Sequence, residues 1–218
     1  VKAQLLAIFE LLQHHFGPRH WWPAESPFEV VIGAILTQNT AWRNVEQAIA
    51  NLRAADALTP RGILDRELAE LEAMIRPAGF FRQKAARLTG FARYLEAHHH
   101  GDLPGWLGRP LDQVRAELLR LPGIGPESAD AILLYAGQRP SFVVDAYTRR
   151  LLGRLGLLRG SESYHQVRSL FMTALPPDTQ LFNEFHALIV EECKVYCRTR
   201  PRCPSCPLRS RCPAALPG

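Results

Sequence analysis

Leu121-Pro122-Gly123-Ile124-Gly125-Pro126 lies between two stretches whose apolar residues recur at helical spacing, Leu111 to Leu121 and Glu127 to Gly137. Two glycines and two prolines in six residues leave room only for a tight turn. Glycines at both corners allow backbone conformations closed to other residues, and Ile124 between them is an apolar anchor. The helix that follows begins with N–H groups that no carbonyl of the helix can satisfy, and such groups can hold a phosphate. A glycine turn between helices is by itself an ordinary connector, so its meaning depends on what surrounds it.

Outward from the turn, nearly every segment reads as helix. Ser26-Pro27-Phe28-Glu29 has the form of a capping box with proline at the first helical position, opening a helix through Leu36. Thr40 can cap the next helix, which carries Val45, Ala48, Ile49 and Leu52 on one face. Further amphipathic runs cover Leu64 to Ile75, Gln83 to His98, Ala146 to Leu155, Tyr164 to Leu175 and Thr179 to Cys197. His98-His99-His100 before Gly101 reads as a helix end, and side chains on consecutive helical positions diverge too far to share a metal. Phe142-Val143-Val144 is the one strand-like run, too short to found a sheet. The expected fold class is all-α.

The chain has 218 residues, 47% of them hydrophobic, and a net charge of +5. That is enough to bury a substantial core, in one large domain or two small ones. The apolar stretches at Leu5 to Leu12 and Ala131 to Ala136 are too short to span a bilayer, so no membrane association is expected. No small-residue cleavage site follows the first of them, which points to a cytoplasmic protein. Basic residues gather in two places: Arg139, Arg149, Arg150, Arg154 and Arg159, and then Lys194, Arg198, Arg200, Arg202, Arg209 and Arg211 with no acid among them. A polyanionic partner fits that distribution better than it follows from net charge alone.

Within the second basic stretch, Cys197, Cys203, Cys206 and Cys212 form the pattern C-x5-C-x2-C-x5-C. Four thiolates so close repel one another, and a bound cation neutralises them. Zinc and a 4Fe–4S cluster are the candidates. A single CxxC flanked by longer loops suits the wider cluster better than the paired CxxC knuckles of a zinc ribbon. Cys193, one helical turn before Cys197, reads as a small buried residue. Upstream, Val144-Asp145-Ala146-Tyr147-Thr148-Arg149-Arg150 places an aspartate where it can cap a helix. A carboxylate fixed in direction at a cleft can also stabilise an oxocarbenium-like sugar or orient water towards it.

Leu36-Thr37-Gln38-Asn39-Thr40, the turn at Leu121 to Gly125, Val144-Asp145 and the cysteine quartet follow one another along the chain. On these four features the chain resembles the endonuclease III branch of the helix-hairpin-helix DNA glycosylases over nearly its whole length. The resemblance implies a six-helix barrel domain over residues 27–139 and a helical iron–sulfur domain made of residues 1–26 and 140–218. It implies a monomer that binds double-stranded DNA between the domains and flips a damaged base out of the stack. Gly123, Ile124 and Gly125 would then grip the phosphate backbone. Asp145 would be the catalytic carboxylate and Gln38 would fill the gap left by the base. Phe80 or Phe81 would wedge the opposite strand, with Phe81 the expected DNA contact together with Lys84, Arg149, Arg198 and Arg200.

The chain departs from the family pattern twice. Bifunctional members carry a lysine just after the hairpin that attacks the sugar through a Schiff base, and Glu127 stands there in this chain. A monofunctional enzyme with little or no AP lyase activity is expected, with Lys194 the one residue suspected as a substitute amine or pocket group. The first cysteine spacer has five residues where the family usually has six. Trp21, Trp22 and Trp42 border the expected base pocket and resemble the arrangement in 3-methyladenine glycosylases of this branch. A cationic N-alkylated purine would gain from stacking on indole. The competing readings are an oxidised-pyrimidine glycosylase with AP lyase activity, a mismatch glycosylase, and a non-catalytic protein that senses DNA damage.

Overall fold

The computed structural model describes residues Val1 to Leu216, and all regular structure among them is helical. The chain divides into two compact units: Ala24–Arg139, and Val1–Pro23 together with the chain from Pro140 onward.

In the unit from Ala24, helix α2 (Pro27–Leu36) is buried at nine of its ten positions. Its core role explains its run of Val, Ile, Ala and Leu. Ser26 caps it by accepting the Glu29 N–H at 3.1 Å. The reciprocal half of the expected capping box is absent, because the Glu29 carboxylate turns instead to the Glu25 N–H and to Arg53. Around α2 lie α3 (Trp42–Ala54), α6 (Phe81–His99), α7 (Leu103–Leu107) and α9 (Pro126–Ala131). Helix α3 starts after Ala41, and Thr40 does not cap it; the Thr40 hydroxyl accepts from the Asn44 side chain instead. The run expected over Leu64 to Ile75 is two helices, α4 (Pro60–Leu64) and α5 (Leu68–Met74). Thr59 caps α4 through the Gly62 N–H, and Pro60 sits at its first position.

Helices α8 (Leu111–Arg120) and α9 flank the hairpin. They are locked together by a bidentate ion pair in which Arg115 Nε and Nη2 donate to the fully buried Asp130 carboxylate at 2.8 and 2.9 Å. Such a fork fixes angle as well as distance. A π-helical turn over Ile132–Ala136 continues α9.

In the second unit, α1 (Lys2–Phe16) and α10 (Ala146–Arg154) each pack on α12 (Thr179–Val195), and α11 (Tyr164–Ala174) closes the core. Phe142 stacks on Phe171 at 3.6 Å and meets Phe182 and Phe185 edge-on. This explains the run at residues 142–144: its apolarity serves an aromatic core, and it forms no strand. A reciprocal capping box opens α11, between Ser163 and Gln166.

Candidate active site and nucleic-acid interface

The hairpin and the aspartate belong to different units. At the hairpin, the Ile124 N–H donates to the Leu121 carbonyl at 3.1 Å, and the Ile124 side chain is buried as the anchor. The two glycines differ. Gly123 has φ +80°, which L-residues avoid, and a Cβ there would run into the Arg87 side chain. Gly125 has an ordinary φ of −86°, and a Cβ there would meet nothing. Only the first corner therefore needs glycine for its conformation, while the second leaves an exposed stretch of backbone bare before α9.

Gln38 lies in the turn after α2 and reaches this hairpin. Its Nε2 donates to the Gly123 carbonyl at 3.0 Å and to Ser128 Oγ at 2.9 Å. Its Oε1 accepts from Arg87 Nη1, a residue of α6 that the sequence did not single out. Lys84, expected at the DNA surface, is 1% exposed. It shares the inward face of α6 with Leu88 and Phe91, and its Nζ donates to the Leu36 and Ala78 carbonyls at 2.8 Å each. Burial and the neighbouring Arg87 charge lower its ammonium to about 8. Lys84 thus ties the segment before Gln38 to the segment before Phe80 and is not a phosphate contact. Phe81 is half-buried, with the Arg76 and Arg82 guanidinium groups 5.2 and 5.8 Å from its ring. Phe80 is the exposed ring, 62% accessible and held at φ 46° ahead of α6. Glu127 is exposed in the first turn of α9, and Trp42 donates its indole N–H to Glu46 at 2.9 Å.

In the other unit, Asp145 caps α10. Its Oδ1 accepts from the Thr148 N–H at 2.7 Å and from the Thr148 hydroxyl at 2.8 Å, and its Oδ2 lies 3.5 Å from His186 Nε2. Burial pushes the carboxyl upward, but the hydrogen bond and charge of His186 and the two Thr148 bonds outweigh it, holding the group below its ordinary value. His186 gave no signal in the sequence, because its partner lies in another helix. Two residues earlier on α12, the Glu184 carboxylate accepts the Arg19 and His20 N–H groups at 2.7 and 2.8 Å. That anchor immediately precedes Trp21 and Trp22, whose rings lie 5.3 Å apart. Lys194 is exposed in the last turn of α12.

Cys197, Cys203, Cys206 and Cys212 line one pocket, with Arg154, Glu192 and Leu208 among its other walls. Among the described residues, no three histidine, cysteine or carboxylate groups are gathered as ligands of a single ion. Hydrogen bonding from Cys193 and the nearby Arg154 and Arg150 hold the Cys197 thiol down at about 6 against its burial. Arg150 Nε donates to the Cys197 carbonyl at 2.7 Å, and Arg154 donates to the Arg198 and Thr199 carbonyls at 2.7 and 3.1 Å. Arg149 donates to the Glu162 carbonyl at 2.8 Å, whereas Arg198 and Arg200 are exposed. Glu192 is fully buried, receives the Cys206 S–H at 3.0 Å and is pushed up to about 7 by burial.

Residues 32–177 match the HhH-GPD superfamily of base excision DNA repair proteins. A protein of Methanocaldococcus jannaschii named as a DNA repair glycosylase is 44% identical over 207 residues, covering 94% of each chain. A structure of endonuclease III trapped covalently on DNA superposes with a TM-score of 0.85 at 27% identity, covering 99% of this chain and 97% of the other. The Helicobacter pylori 3-methyladenine DNA glycosylase, bound to 1,N6-ethenoadenine, gives 0.75 at 30% identity over 88% of this chain and 96% of that one. The chain is a base excision repair DNA glycosylase of the helix-hairpin-helix (HhH-GPD) superfamily and belongs to its endonuclease III branch.

Proposed function

We propose that the protein is a monofunctional glycosylase that removes an N-alkylated purine such as 3-methyladenine from double-stranded DNA and leaves an intact abasic site. The observation that carries this reading is the placement of its amines. The sequence has three lysines, Lys2, Lys84 and Lys194. The position after the hairpin holds Glu127, whose carboxylate cannot form a Schiff base. Lys84 is buried with its Nζ on two carbonyls. Lys2 and Lys194 are exposed near opposite ends of α1 and α12 respectively.

With Glu127 at the position of the family lysine, Asp145 serves in this reading through its charge. Oδ1 is committed to the helix, so Oδ2 is the oxygen that stabilises the developing sugar cation and directs water to it. His186 keeps the carboxyl ionised and aimed. An alkylated purine carries positive charge and leaves with little acid assistance, and a tryptophan face adds roughly 0.5–2 kcal/mol of cation–π attraction that a neutral base lacks. Trp21 and Trp22, which follow the Arg19 and His20 N–H groups held by Glu184, are the proposed face. Gly125 offers its bare backbone to phosphate, Gln38 fills the emptied stack, and Phe80 is the proposed wedge into the opposite strand. Arg198 and Arg200 are proposed phosphate contacts.

The cysteine quartet is proposed to hold a 4Fe–4S cluster, because its spacing suits a wide body and all four side chains line one pocket. When bound, the cluster cross-links the arginine-bearing loop that hydrogen bonds alone would hold weakly. Iron and sulfide analysis of the purified protein tests that assignment.

The activity is tested with duplexes bearing 3-methyladenine, hypoxanthine, thymine glycol or uracil, with and without alkali. Release of 3-methyladenine with strand cleavage only after alkali is the expected result. Thymine glycol release with cleavage before alkali, together with borohydride trapping in stoichiometric yield, would establish the bifunctional pyrimidine enzyme instead.

A further inference from the structure

Gln38 has one carbonyl oxygen and one amino group to offer, and in the free protein both are in use. Nε2 serves the Gly123 carbonyl and the buried Ser128 hydroxyl, while Oε1 takes the Arg87 guanidinium. The arginine is fitted to this place. It crosses the hairpin at the one corner where a Cβ would collide with it, so glycine at position 123 makes room for the clasp as well as for the turn. To fill a gap in a base stack, the same side chain must leave the hairpin and give these polar atoms to the orphaned base or to water. The two uses of Gln38 exclude each other.

We propose that Arg87 is a positioning residue that stows Gln38 against the hairpin in the free protein, so that the glutamine is released only into a duplex that has a gap to receive it. The inference rests on the reading of Gln38 as the gap-filling group. Its energetic weight comes from the charge on one partner, since a hydrogen bond to a guanidinium is stronger than one between neutral groups. On an intact duplex insertion gains nothing and the clasp holds. On a duplex lacking a base, stacking and new hydrogen bonds compete with the three bonds surrendered.

The test measures the ratio of affinities for a duplex carrying a tetrahydrofuran abasic analogue and for the intact duplex of the same sequence. Taking the ratio removes the general loss of phosphate attraction that follows from deleting a positive charge. Arg87→Met keeps the aliphatic bulk beside Gly123 and should raise the ratio about tenfold. Ser128→Ala deletes another bond of the same set without changing charge and should raise it about threefold. In a Gln38→Ala background neither substitution should change the ratio, because an effect routed through a side chain disappears with that side chain.

An unchanged or lowered ratio in Arg87→Met, with Gln38 present and the melting temperature preserved, overturns the clasp. An equal rise in the Gln38→Ala background also overturns it, since Arg87 would then act on DNA directly. Should Arg87→Met fail to fold, Arg87→Leu, which also removes the guanidinium that Gln38 accepts from, decides by the same criteria. If the unsubstituted protein shows no preference for the abasic duplex, or Gln38→Ala leaves that preference intact, the gap-filling reading itself fails and takes the clasp with it.

Discussion

Two helices of the same unit begin with aspartate, and the two aspartates are put to different use. Asp178, at the start of α12, is exposed and accepts the Gln180 and Leu181 N–H groups on a single oxygen at 2.8 and 3.0 Å. Asp145, at the start of α10, also uses one oxygen for its helix, but its second faces His186 in a half-buried setting. Capping explains one oxygen in each case. At Asp178 the other is left to solvent, whereas at Asp145 the fold has spent a buried histidine on it. The second oxygen separates a catalytic candidate from a helix cap.

Asp145→Asn puts the greatest strain on that contrast. Asparagine is as good a cap, so the fold should survive, while base release under single-turnover conditions should fall by roughly a thousandfold or more with the charge gone. Release within tenfold of the parent enzyme would return Asp145 to the rank of Asp178. His186→Asn should cost about tenfold in release, in keeping with the loss of one charge-assisted contact. It should also move the acid limb of the pH profile upward, because burial continues to raise the Asp145 carboxyl once the opposing contact is removed. The linked stability has a definite sign. A carboxyl held below its ordinary value stabilises the fold above that value and loses the contribution as the pH falls through the lowered one. A profile unmoved by His186→Asn would divorce the histidine from Asp145. Asp178→Ala should have the smallest effect, a loss of about 1 kcal/mol in thermal or denaturant unfolding with base release unaltered.

The hairpin, the aspartate cap and the cysteine quartet were readable in sequence because each is a local pattern with a local physical cause. Most helices were readable for the same reason, since their apolar faces repeat. What failed needed knowledge of direction or of distant partners. Lys84 resembles a surface cation until the inward face of α6 carries it to the Leu36 and Ala78 carbonyls. Adjacent phenylalanines are equivalent in composition, and the sequence left the choice open; Phe80, at a left-handed φ, is the exposed one. Glu29 completes a capping pattern on paper, but Arg53, from the next helix, attracts its carboxylate. Arg87 and His186 became visible only when their partners, remote in sequence, were placed beside them.

Helix α10 has nine residues, with Asp145 at its head and Arg150 and Arg154, one turn apart on the same face, fastened to the carbonyls of the cysteine loop. The proposed catalytic carboxylate and the mooring of the tail are therefore two ends of one helix. If Asp145 acts at the glycosidic bond as proposed, a change in the cysteine loop should reach that bond through α10. An inactive cysteine variant would therefore not by itself be evidence of chemistry at the cysteines.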